Sequence, residues 1–242
     1  TAFDISTATF SQSIASQDGG PAGIAWNNDG TKLYEVGTNS DTIYESTLTT
    51  AFDISTATFS QSIASQDGGP AGIAWNNDGT KLYEVGTNSD TIYESTLTTA
   101  FDISTATFSQ SIASQDSAPT DIAWNNDGTK LYEVGNSNTT IHEYTLTTAF
   151  DISTATVSQY IVPQDSGPAG IAWNNDGTKL YEVGKTSDLI YEYTVTTAFD
   201  ISTATSSQSI ATQDNNPQGI AWNNDGTKLY EVGFNSNLIY ES

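Results

Sequence analysis

The apolar and polar positions of this chain change over every few residues, and no stretch of ten or more residues carries a helical period of 3.6. Short runs rich in β-branched and aromatic residues alternate instead with turn residues. Four such runs, Thr9–Ala15 (TFSQSIA), Ala22–Trp26 (AGIAW), Lys32–Val36 (KLYEV) and Thr42–Leu48 (TIYESTL), each predict a strand. Asn27-Asn28-Asp29-Gly30 joins the second run to the third as a hairpin. Glycine supplies a positive φ there, and the Asn and Asp side chains bond nearby backbone amides. Pro21 has no amide to donate and suits a connection better than a strand interior.

The pattern returns at a constant interval. TAFDIST begins at Thr1, Thr50, Thr99, Thr148 and Thr197, a spacing of 49 residues. A period of about 40 to 50 residues with several strands per unit belongs to propellers rather than to helical solenoids. The expected fold is therefore a single all-β domain over 1–242, a five-bladed β-propeller with four antiparallel strands per blade. In radial order AGIAW is the innermost strand A, KLYEV is B, TIYESTL is C and TFSQSIA is the outermost, D. Five full units would need 245 residues, and the fifth stops three short, at Ser242. The chain starts with a D strand and finishes with a C strand. Thr9–Ala15 should accordingly complete the blade begun at Gly219 and close the ring without open sheet edges.

The run Pro21-Ala22-Gly23-Ile24-Ala25-Trp26-Asn27-Asn28-Asp29-Gly30-Thr31-Lys32-Leu33-Tyr34 resembles the blade signature of the YVTN, NHL and SMP-30-like group of β-propellers. Every unit carries it, although the third has Asp121 where the others have glycine. The resemblance implies a propeller but no single reaction, because that group includes ligand binders, scaffolds, lactonases and other enzymes. Glu35 departs from the pattern, since related strands usually place Val or another apolar residue there.

Units one and two are identical, and 16 of the 49 repeat positions vary across the five copies. Ten of these fall in the D-to-A connection (16–23) and the B-to-C connection (37–42), which emerge on one face of the disc. The A-to-B turn and the C-to-D segment, on the other face, do not vary. The candidate ligand face is therefore the variable one, with Asp121, His142, Lys185, Asn215, Asn216 and Phe234 as its differing groups. Tolerance of solvated loops to change is the competing explanation.

Glu35 recurs as Glu84, Glu133, Glu182 and Glu231. Side chains alternate along a strand, so Glu35 shares a face with Leu33, while Lys32, Tyr34 and Val36 share the other. Blades stack face to opposite face, which predicts five structural carboxylates between blades, hydrogen-bonded to Tyr, Trp, Lys or backbone donors. An unpaired ionised carboxylate would be too costly there. A ring of carboxylates collecting a cation or polar ligand is the functional alternative.

Charge and composition narrow the partners. Six lysines and no arginine oppose 29 acidic residues, for a net charge of −23. That field repels phosphate backbones and anionic lipid, which excludes nucleic acid and membrane surfaces. It also suits a salt-rich environment. Cysteine is absent, which removes disulfides, thiolate chemistry and Cys-ligated metals. No signal peptide pattern is present, and the missing initiating Met points to a processed chain.

Catalytic inventory is thin. His142 is the single histidine, it stands where the first unit has Tyr44, and no serine sits in a recognisable nucleophile elbow. Near-symmetry also opposes the unlike environments that separate an acid from a base. Asp18 and Asp41 could offer oxygens to a hard cation, but Asp41 becomes Thr139 and Asn237, so a solvated acidic rim is expected and no metal. Trp26 and its copies are assigned to packing between blades rather than to sugar stacking. Lys185 is expected in solvent, and Asn138-Thr139-Thr140 matches a glycan acceptor by a three-residue motif only.

These readings lead to a monomeric, non-enzymatic binding or scaffolding propeller without a cofactor, in its most concrete form a lectin-like module for a small carbohydrate or protein ligand. A consensus-like, reconstructed or recently amplified propeller with no evolved ligand is the alternative. A glycosidase-like or lactonase-like enzyme is the third reading.

Overall fold

The computed structural model describes residues 2–242, so Thr1, where the first repeat begins, lies outside the described residues. Five four-stranded antiparallel sheets form the blades of a propeller. The first blade runs in order through Pro21–Trp26, Lys32–Gly37, Thr42–Leu48 and Ala57–Ala64. The fifth takes Pro217–Trp222, Leu229–Gly233 and Leu238–Glu241 from the end of the chain and Gln12–Ala15 from its start. The closing pair is antiparallel, with Gln12 opposite Glu241 and Ala15 opposite Leu238.

Two strand boundaries differ from the sequence reading. Proline heads the innermost strand, where a bulge between Pro21 and Gly23 removes the need for its missing donor. The variable positions 22 and 23 therefore belong to strand A and not to a loop. The closing strand is four residues long, Gln12–Ala15, where the first blade's outermost strand has eight, because its partner ends at Glu241. The C-to-D segment also contains an element that the apolar pattern did not announce. Ile5–Thr7 and its four copies form single 3₁₀ turns, each capped by an Asp such as Asp4, whose carboxylate accepts from Ser6 N.

Strand B is buried on both faces, and its side chains bind successive blades together. Between the first and second blades, Tyr34, Val36 and Ile43 pack against Ile73, Leu82 and Leu97. The Tyr34 hydroxyl and Lys32 Nζ both donate to the Phe101 carbonyl of the next blade, at 2.6 and 2.7 Å. Lys32 also pairs with Glu45 at 2.9 Å, and Glu45 accepts from Gln61 Nε2 at 2.8 Å. Trp26 lies 4.7 Å from Tyr230 of the preceding blade and 5.2 Å from Phe52, ring centre to ring centre, in tilted packing between blades.

The A-to-B turn needs its glycine. Gly30 has φ 71°, and a Cβ there would fall 2.2 Å from the Phe52 ring, which covers the turn. The same turns form a ring around the axis. Asn28 Nδ2 donates to Asn77 O at 2.5 Å, and the relay continues through Asn126, Asn175 and Asn224 back to Asn28.

The seam bonds set a stability expectation. Tyr34→Phe removes one neutral hydrogen bond while Lys32 still holds the Phe101 carbonyl, and should cost about 1 kcal/mol. Tyr34→Ala, which empties a fully buried site, should cost about 3–5 kcal/mol. Urea denaturation followed by Trp fluorescence measures both.

Candidate functional site

Glu35 is buried, 4% exposed, and faces the D-to-A connection entering its own blade. Its carboxylate accepts from Ser16 Oγ at 2.7 Å, Gln17 N at 2.6 Å and Asp18 N at 3.0 Å. The copies follow with local variation. Glu84 accepts from Ser65 Oγ and from the amides of Gln66 and Asp67. Glu231 accepts from the Gln213 and Asp214 amides at 2.9 Å each. Glu133 and Glu182 add a phenol, from Tyr144 and Tyr193 respectively, which stand where the first unit has Ser46. No lysine joins any of the five among the described residues; strand alternation turns Lys32 to the other face, onto Glu45. Burial pushes the Glu84 and Glu231 carboxyls up to about 7, against the pull of their amide donors.

Asp18 does not belong to a solvated rim. It is 3% exposed and ties the two connections of the variable face together, accepting from Gly20 N at 2.7 Å and from Ser40 N at 3.2 Å and Ser40 Oγ. Backbone amides occupy the oxygens that a cation would need. Asp41 is exposed and sits in the left-handed region, φ 50°, as the corner of the B-to-C turn.

The innermost strands meet backbone to backbone. A Cβ on Gly23 would lie 2.6 Å from Ala71 O, and one on Gly219 would lie 2.7 Å from Ala22 O. Asp121 is the one side chain other than hydrogen at this level of the axis. One carboxylate oxygen accepts from its own strand, Ile122 N at 2.9 Å, and the other from the next blade, Ile171 N at 2.9 Å. Burial raises its pKa to about 8, opposed by the two amides. Thr120 beside it donates to Val134 O at 3.2 Å.

The other residues of the variable face do not converge on this group. His142 Nε2 lies 2.8 Å from Thr140 Oγ1, and its ring packs on Tyr160 at 5.9 Å. Lys185 is half-buried rather than in solvent, and it is the one lysine outside an ion pair among the described residues. Burial lowers its pKa and Asp165 opposes that shift. Asn216 accepts from Gln218 Nε2 at 2.7 Å, and its carbonyl receives Phe234 N at 3.1 Å, while Asn215 is exposed. No hydrogen bond or ion pair joins Asp121, His142 and Lys185 among the described residues. The sequence reading passed over Glu45 and its copies, the best-paired carboxylates of the seams. Their signal was an acid invariant in all five units, two residues after an invariant isoleucine.

The fold and its axial carboxylate define a β-propeller repeat protein. A family model described as the lactonase seven-bladed β-propeller matches residues 95–240. The chain belongs to that family, with five blades of its own. Among solved structures, one titled "putative 6-phosphogluconolactonase" from Bacteroides uniformis aligns with TM-score 0.59 at 15% identity, covering 90% of this chain and 64% of that one. A Lactobacillus plantarum protein aligns with TM-score 0.59 at 17% identity, covering 88% and 64%. A functionally unknown Desulfotomaculum acetoxidans protein aligns with TM-score 0.54 at 14% identity, covering 88% and 62%. The chain thus spans 62–64% of the length of these structures, and at such identities they share its fold. No curated protein matches. The family match overturns the expectation of a non-enzymatic, lectin-like binding or scaffolding module.

The raised carboxyls make stability fall with pH. Asp121 titrates near 8 when folded against 3.8 ordinarily, and Glu84 and Glu231 near 7 against 4.5. Between about pH 4 and 8 the folded state therefore binds more protons than the unfolded chain, and unfolding free energy declines as pH rises. Asp121→Gly should flatten that decline by a few kcal/mol, on the order of the shift it removes. Urea titrations at pH 5 and pH 8 provide the comparison.

Proposed function

We propose that the chain acts as a lactonase-like hydrolase, with Asp121, on an innermost strand beside the propeller axis, as the base. The supporting observation is that the family match, over 95–240, contains the carboxylate that replaces an axial glycine. The blade signature supports the same reading, since the YVTN, NHL and SMP-30-like group it resembles includes lactonases. A pKa near 8 suits a group that must take up and return a proton close to neutral pH.

In this reaction the Asp121 carboxylate takes a proton from water as the water oxygen adds to the lactone carbonyl. The ring C–O bond then breaks, and the departing alkoxide receives that proton to give a hydroxy acid. Ile122 N and Ile171 N hold both carboxylate oxygens in place. The net charge of −23 and the commitment of five of six lysines to ion pairs favour an uncharged lactone over a phosphorylated one.

Proton release from glucono-δ-lactone or δ-valerolactone, followed by pH-stat, tests the proposal. The wild-type rate should exceed the spontaneous rate and rise with a midpoint near pH 8. Asp121→Gly, which installs the residue of the other four blades, should lower it by about 10²- to 10⁴-fold with the fold retained by circular dichroism. Equal rates for wild type and variant would overturn the assignment.

A further inference from the structure

The five B-to-C turns share one corner geometry and differ in the residue that stands there. Asp41, Asp90, Thr139, Asp188 and Asn237 occupy the corner in turn, all with φ between 50° and 55°. The backbone is also anchored alike, since Thr212 N donates to Asp188 O and Ser16 N to Asn237 O, both at 3.0 Å. The Asp188 and Asn237 side chains therefore leave equivalent backbones toward equivalent surroundings. Oriented by its hydrogen bonds, the Asn237 amide nitrogen donates to Phe234 O of its own turn at 3.0 Å and to Gly19 O of the connection entering the next blade at 2.7 Å. The corner thus looks onto two carbonyl oxygens, which call for a donor or a positive charge.

In the fourth blade the matching carbonyls are those of Lys185 and Asn215, and neither receives a hydrogen bond from the described residues. Asp188 meets them with an acid. A carboxylate has no donor to offer, and Asp188 Oδ1 is buried without a hydrogen-bond partner. The facing connection carries Asn215 and Asn216 here, whereas the one facing Asp41 carries Gly68 and Gly69 and leaves Asp41 exposed. No lysine compensates: Asp188 forms no ion pair among the described residues, and Lys185 lies in the field of Asp165. Glu231 adds negative charge nearby, its pKa raised by burial and then by the Asp214 and Asp188 charges.

We infer that Asp188 Oδ1 and the carbonyls of Lys185 and Asn215 form a site for a hard cation, of which calcium is the type, tying the B-to-C turn of the fourth blade to the connection that enters the fifth. Calcium takes carboxylate, backbone carbonyl and water oxygens together, so three protein oxygens with water completing the shell suit it. Softer metals are disfavoured, because the set holds neither nitrogen nor sulfur. The net charge of −23 raises the concentration of cations near the surface. Thr139 and Asn237 lack the carboxylate, and Asp41 and Asp90 are exposed, so the fourth blade alone carries the site.

Thermal melting of the wild type, Asp188→Asn and Asp41→Asn tests the site, each protein being freed of metal with EDTA and then titrated with calcium chloride at constant ionic strength. Without metal, Asp188→Asn should melt about 2–4 °C above the wild type, because its amide can donate to both carbonyls as that of Asn237 does. Calcium should raise the wild-type melting temperature saturably, by an amount that Asp41→Asn keeps and Asp188→Asn loses. An equal calcium response in the wild type and Asp188→Asn would assign the effect to the general acidic field and overturn the site. Metal-free Asp188→Asn melting at or below the wild type would overturn it as well, since Asp188 would then not face the two carbonyls.

Discussion

The constraint on which this propeller rests is that strand B is buried on both faces while carrying Lys32, Tyr34 and Glu35 in a run of six. Each polar group must find a partner inside a seam, and each partner belongs to a different part of the ring. Tyr34 and Lys32 reach forward to the Phe101 carbonyl of the next blade. Glu35 holds the amides of the connection arriving from the previous one. Burial without those bonds would cost several kcal/mol per group, so the same residues that endanger the strand fix how blades meet.

Repetition makes that solution fivefold and leaves the axis to glycine, because inner strands in backbone contact leave no room for a Cβ. Asp121 is accommodated by turning its carboxylate onto two amides, one on each side of a seam. The result is a desolvated acid where the other blades have hydrogen, and the chemical asymmetry of the molecule is concentrated there. His142 and Lys185 also break the symmetry, but one is packed on Tyr160 and the other lies beside Asp165.

Ring closure exposes the other departure from symmetry. A non-covalent clasp pairs Gln12–Ala15 with Leu238–Glu241 and satisfies the sheet edge.

Much of this was legible in the sequence. The 49-residue period, the alternation in KLYEVG and the Asn27–Gly30 turn determine a five-bladed propeller and the face on which each strand B side chain lies. Local periodicity decides these, since they follow from the pleat and the turn alone. The partners were not legible, because they lie on other blades or connections. Asp18 was read as a rim acid and is a buried tie, and Lys185 was read as solvated and is half-buried. The carbonyl shared by Lys32 and Tyr34 lies 69 and 67 residues away in the chain. Sequence by itself determined the strands, their order and their facing. Only the tertiary structure decided which buried charges are paired and what surrounds Asp121, because desolvation and packing depend on neighbours that the chain brings together only when the ring closes.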